Sequence, residues 1–158
     1  PRSTQSRSSA ASDVYKRQEK TLTLRRWVDM PSKGWYSGDV HVHHPTLNEA
    51  QKQFVMQYAR AEDLHVTNLL EMGDHTGTHF RQAGFGTACR YQQGDYALVS
   101  GQEEPRSTFG HIIGLNPKSL VRNTKQYDLY DLVFDQLQEQ KAIVGYAHLA
   151  WNLSLIHI

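Results

Sequence analysis

Apolar and polar positions repeat with two periods along the chain, and the switches between them predict its elements. Residues 35–43 alternate at period two, which predicts a strand with Val40 and Val42 on one face and Asp39, His41 and His43 on the other. Thr46 and Glu49 have the spacing of a capping box, and Leu47, Ala50, Phe54, Tyr58 and Ala61 then recur at helical spacing, predicting a helix over 47–61. Residues 64–72 and 96–103 read as buried strands, 110–116 as a further short strand and 142–147 as the last. Between the second and third strands, 73–95 shows little periodicity and reads as a long loop, a length usually tied to function or disorder. Asp128 is placed to cap a second amphipathic helix carrying Leu129, Leu132, Val133 and Leu137. The resulting order, strand, helix, three strands, helix, strand, predicts an α/β layer or barrel.

The two ends behave differently. Residues 1–18 are rich in Ser and Arg without periodicity, and they read as a disordered or non-native tail. The wording of "SSAASDVYKRQ" and of the terminal "LSLIHI" resembles translated sequencing-adaptor read-through, so residues 153–158 are also expected to be non-native. Residues 19–33 are expected to be a linker or the end of an upstream β domain, since 20–30 has partial period-two alternation that Pro31 ends.

Composition narrows the function classes. The chain has 158 residues, an apolar fraction of 39% and a formal net charge of +1, enough for one domain and without the basic footprint of a nucleic-acid binder. The single cysteine, Cys89, excludes an internal disulfide. No stretch is apolar and long enough to span a bilayer, so a soluble protein without a membrane partner is expected. Export of a full-length protein, the compartment and the oligomeric state stay open.

Chemistry concentrates at strand ends. His41 and His43 are two apart on a strand, so both imidazoles leave one face and can converge on an ion, with Asp39 as a ligand or an orienting carboxylate. Asp74 and His75 follow the second predicted strand, Glu103 ends the third, His111 opens the fourth and His148 follows the last. In parallel α/β folds ligands collect beyond the carboxyl ends of strands, so this placement points to a metal site. Arg106 can hold a phosphate or carboxylate bidentately. His44 and His79 lie beside these candidates, His65 reads as structural, Glu71 and Glu104 read as polar neighbours, and Trp35, Tyr36 and Tyr146 read as packing residues.

The ordered set "GDVHVHH", "EMGDHTGTH", "GQEEPRSTFGHIIGLN" and "GYAHLAW" resembles the PHP (polymerase and histidinol phosphatase) metallohydrolase family, in its CehA/McbA-like branch, over residues 34–151. The resemblance implies a distorted (β/α)7 barrel, here the N-terminal part over 34–152 and truncated on its C-terminal side. It implies two or three divalent transition-metal ions (Zn, Mn or Fe) held by His41, His43, His75, Glu103, His111 and His148, with Glu103 as the bridging carboxylate. Asp74 and Arg106 are the candidate catalytic residues beside that set. The implied activity is hydrolysis by a metal-bound hydroxide, of small-molecule phosphoesters as in the wider family or of carbamates, esters and amides as in the branch. Two departures stand out: Gly73 replaces the threonine of a Thr-Asp-His segment, and the late Asp-x-His pair is not reached. The chain on its own is therefore expected to be inactive. The alternative from another class is a catalytically inactive metal-binding or interaction module.

Overall fold

A computed structural model describes residues 21, 23, 25–106 and 110–148, apart from the side chain of Arg106. The expected tails, 1–18 and 153–158, lie outside the described residues. Residues up to Lys33 form one unit, separate from a second that starts at Gly34. In the first, the described residues are in no strand. They end in a 3-10 turn, Pro31–Lys33, where the Ser32 hydroxyl donates to the Asp29 carbonyl at 2.9 Å. The strand expected over 20–30 is thus absent from 25–30, since its alternation is too partial to select a paired face.

The second unit is a mixed α/β structure in which a curled half-barrel sheet is backed by two helices. Its elements are β1 (Gly38–Val42), α1 (Glu49–Ala61), β2 (Val66–Gly73), β3 (Thr78–His79), β4 (Tyr91–Gln93), β5 (Tyr96–Arg106), β6 (Gly110–Leu115), α2 (Tyr130–Glu139) and β7 (Ile143–Ala147). The main path of the sheet is β1-β2-β5-β6-β7, with β3 paired to β2 and β4 to β5. β1, β2 and β5 run parallel, whereas β6 is antiparallel to both β5 and β7. Because β6 runs backwards, its first residues lie level with the last residues of β5 and β7: His111 is opposite Pro105 and Ala147. The start of β6 and the ends of its neighbours therefore share one edge of the sheet.

Both helices pack on the same face of the sheet. Val55, Met56 and Ala59 of α1 bury against Leu69 of β2 and Leu98 of β5. Tyr130, Val133 and Leu137 of α2 bury with Ile112 of β6 and Val121. The predicted core stripe of α1 is corrected: Leu47, Phe54 and Tyr58 are exposed. The smaller Val55 and Ala59 let the helix approach the sheet, and Phe54 and Tyr58 pack edge to face on the outside. Leu129 is likewise exposed.

Both predicted caps also differ. Asn48 caps α1, accepting from the Gln51 N–H at 3.0 Å, while Thr46 turns inward and its hydroxyl donates to Gln82. Leu129, with no side-chain cap bond, precedes α2 in place of Asp128. The segment 73–95 holds β3, β4 and a 3-10 turn at Thr87–Cys89. It is anchored at Gln82, whose N–H donates to buried Glu71 at 2.8 Å.

The facing expected in β1 is changed by a bulge. Gly38 and Asp39 pair with Val66 and Thr67, but Val42 pairs with Leu69, so one extra residue sits in β1. The extra residue inverts the alternation. Val42 joins the α1 cluster, whereas Val40 lines an open hollow of about 630 Å3 with Val66, Val99 and Ile143. Trp35 and Tyr36 are exposed instead of packed. Among the described residues no helix is long and apolar enough to cross a membrane.

Candidate metal centre

The cluster is built around Glu103, near the end of β5, whose side chain is 1% exposed. Its Oε2 lies 3.1 Å from His41 Nε2 and 2.7 Å from His43 Nε2; its Oε1 lies 2.7 Å from His111 Nδ1 and 3.7 Å from His148 Nε2. Four imidazoles, from β1, β6 and the residues after β1 and β7, thus divide between the two oxygens of one carboxylate. The His148 ring is 5.1 Å from both the His41 and His111 rings. One donor atom from each of His41, Glu103 and His148 falls within 4.8 Å of the other two.

Local structure explains how these groups reach one point. The bulge lets both His41 and His43 face Glu103, and Asp39 accepts from the His41 N–H at 2.9 Å across the irregular turn of chain. Asp39 therefore shapes the backbone of β1. His148 has φ +59°, a conformation that L-residues seldom adopt, as the chain leaves β7.

His43 fixes the chemistry of one side. Its Nδ1 is 3.1 Å from the Leu70 carbonyl, and a carbonyl only accepts, so Nδ1 carries the proton. Nε2 is then the ring atom left to meet Glu103 Oε2, at 2.7 Å, with His41 Nε2 only 3.2 Å away. A lone pair facing a carboxylate at that distance needs a cation between or beside them, a proton or a metal ion. Burial raises the Glu103 pKa, but the His111 hydrogen bond and the charges of His41, His111 and His43 outweigh it and hold the carboxyl below its ordinary value. The buried carboxylate thus stays anionic, as a metal ligand must.

Of the other candidates, Asp74 closes a turn: its Oδ1 accepts from the Thr76 and Gly77 N–H groups at 2.7 and 3.1 Å and from the Thr76 hydroxyl. These bonds, the hydroxyl's first, lower its pKa to about 2. His75 is exposed, its ring 5.2 Å from that of Tyr127, and it does not join the described group around Glu103. His44 stacks on Phe54 at 5.4 Å and contacts the Pro45 carbonyl; His79 is exposed on β3; His65 is buried and its Nδ1 meets the Ser37 hydroxyl at 2.9 Å. Arg106 ends β5, and its side chain lies outside the described residues.

Two supporting residues, Arg122 and Gln82, were not singled out from sequence, and a third, Glu104, was read only as a polar neighbour. Glu104, adjacent to Glu103 and pointing to the opposite face, is fully buried and receives both of its oxygens' contacts from Arg122 Nε at 3.1 Å. Arg122 Nη1 also donates to Thr78 Oγ1 at 2.9 Å. Gln82 uses both amide hydrogens, on the His44 and Phe80 carbonyls at 2.9 and 2.7 Å, tying the segment after β1 to the one after β3. An E-E pair at a strand end was the available signal for Glu104. Arg122 and Gln82 have no local sequence cue, since Glu104 and Thr78 lie 18 and 44 residues from Arg122 and His44 lies 38 from Gln82.

No family model, curated protein or solved structure matches the chain.

Proposed function

We propose that the Glu103 cluster is a divalent-metal centre of a hydrolase. The observation that carries the reading is the convergence of His41 Nε2, His43 Nε2 and Glu103 Oε2 within 3.2 Å, where the Leu70 contact leaves His43 Nε2 to meet the carboxylate. Glu103 has one oxygen for each half of the cluster, so His41 and His43 can serve one ion and His111 and His148 a second. The donor set of imidazoles and a carboxylate suits Zn, Mn or Fe. Divalent ions held this way supply hydroxide at neutral pH and stabilise negative charge on a reacting oxygen.

The ordered motifs that resemble the PHP family support the same reading, as does the collection of all five side chains on one edge of a curled sheet. A (β/α)7 barrel is the architecture this reading entails, with the half-barrel as part of it. The substrates proposed are small phosphoesters, esters, carbamates or amides. In this scheme the protein's own residues orient and shield: Leu70 fixes the His43 ring, Asp39 holds the β1 bulge, and the His111 hydrogen bond with the surrounding imidazoles keeps Glu103 anionic against its burial.

The test is the intact protein, loaded with zinc or manganese and assayed on aryl phosphates, esters and carbamates beside its Glu103→Gln variant. Turnover that disappears in the variant is expected. Tight metal binding with no turnover on any substrate would favour an inactive metal-binding module instead.

A further inference from the structure

Phe80 follows β3 with φ +54°, a backbone conformation disfavoured for a bulky side chain. Burial does not account for it: the residue is 37% exposed and belongs to neither core cluster. Its ring lies 4.9 Å from that of His43, tilted by 33°, and His43 in turn touches Glu103. The backbone is held there by Gln82, a buried residue whose amide donates to the Phe80 carbonyl and to that of His44, while Thr46 donates to its oxygen. The Gln82 side chain is fully satisfied by this arrangement, so the turn is a built feature. An aromatic ring is thereby presented, partly bare, against a histidine of the cluster. Strained conformations persist where the surroundings over-determine them, and they gather at sites that contact ligands.

We infer that Phe80 determines specificity at the Glu103 cluster: its exposed ring is the platform for an aryl group on a substrate whose anionic head lies at the metal ions. The inference rests on the metal-centre reading and adds the substrate class. An aromatic ring offers flat apolar area and quadrupolar complementarity to a second ring, a gain that an alkyl substrate does not obtain.

The experiment uses the full chain loaded with zinc and measures calorimetric affinity for phenylphosphonate and methylphosphonate, in the wild type and in Phe80→Ala, Phe80→Leu and Phe80→Tyr. The wild type is expected to prefer the phenyl probe by about tenfold beyond the methyl one. Phe80→Ala and Phe80→Leu should lose that preference while binding zinc and methylphosphonate as before, and Phe80→Tyr should restore it. If Phe80→Ala fails to fold, Phe80→Leu against Phe80→Tyr makes the same comparison. An undiminished preference without the ring, or no phosphonate binding to zinc-loaded protein, overturns the inference. So does an equal loss of zinc and of both probes, which would make Phe80 a support for His43 alone. Failure to bind zinc at all would instead overturn the metal centre, and this inference with it.

Discussion

The guanidinium of Arg122 occupies the space that a side chain at position 73 would need: a Cβ on Gly73 would lie 2.5 Å from Nη1 and 2.6 Å from the central carbon. The same Cβ would sit 2.7 Å from the Gly77 carbonyl oxygen, which belongs to the backbone of the turn closed by Asp74. This explains why position 73 carries no side chain. Gly73→Ala is expected to destabilise the protein by about 1–3 kcal/mol, the usual cost of overpacking a filled site. Chemical denaturation of the two proteins measures it, and equal midpoints would show that Arg122 yields freely.

Arg122 and Glu104 form a pair whose side chains are 9% and 0% exposed. Gln102 anchors the chain before it, accepting from the Val121 N–H at 2.8 Å and donating to the Val121 carbonyl and to Glu104. Removing one partner strands a buried charge, so Arg122→Met should cost about 3–5 kcal/mol. The double variant Arg122→Met/Glu104→Gln should recover part of that loss, because the stranded carboxylate is gone. A double-mutant cycle in urea reads the coupling, and additive losses would contradict it.

Asp74 gives a pH dependence of known sign. Its folded pKa is about 2, below the ordinary 3.8, because Thr76 and Gly77 donate to the ionised form. The stabilisation is therefore complete above the unfolded value and is lost as pH falls from about 5 towards 2. Asp74→Asn should have a lower urea midpoint than the wild type at pH 6, with the gap closing near pH 2.5. A gap independent of pH would mean that the charge contributes nothing.

Strand positions and the residues at their ends were readable because period-two alternation and ligand-type residues are local signals. Glu103, His111 and His148 each sit at a strand terminus in sequence and at one edge of the sheet in space. Facing was less readable. The bulge in β1 reverses Val42 relative to Val40, and its one local cue, Gly38 within the alternating run, does not place it. In α1 two apolar stripes compete, and tertiary packing chose Val55, Met56 and Ala59 over Phe54 and Tyr58. Thr46 was diverted from capping by a partner 36 residues away. Arg122 and Gln82 were invisible for the same reason: their roles depend on strand order, which no local pattern encodes.

The most direct measurement is metal binding by the full chain, by calorimetry with zinc and by elemental analysis after dialysis, for the wild type, Glu103→Ala and His43→Ala. The account predicts retained zinc in the wild type, a thermal midpoint raised by the ion, and loss of both effects in Glu103→Ala with weaker binding in His43→Ala. At a zinc concentration about one hundred times the dissociation constant the added stability should be about 2.7 kcal/mol. No zinc above background in the wild type, or the same zinc in Glu103→Ala, would contradict it.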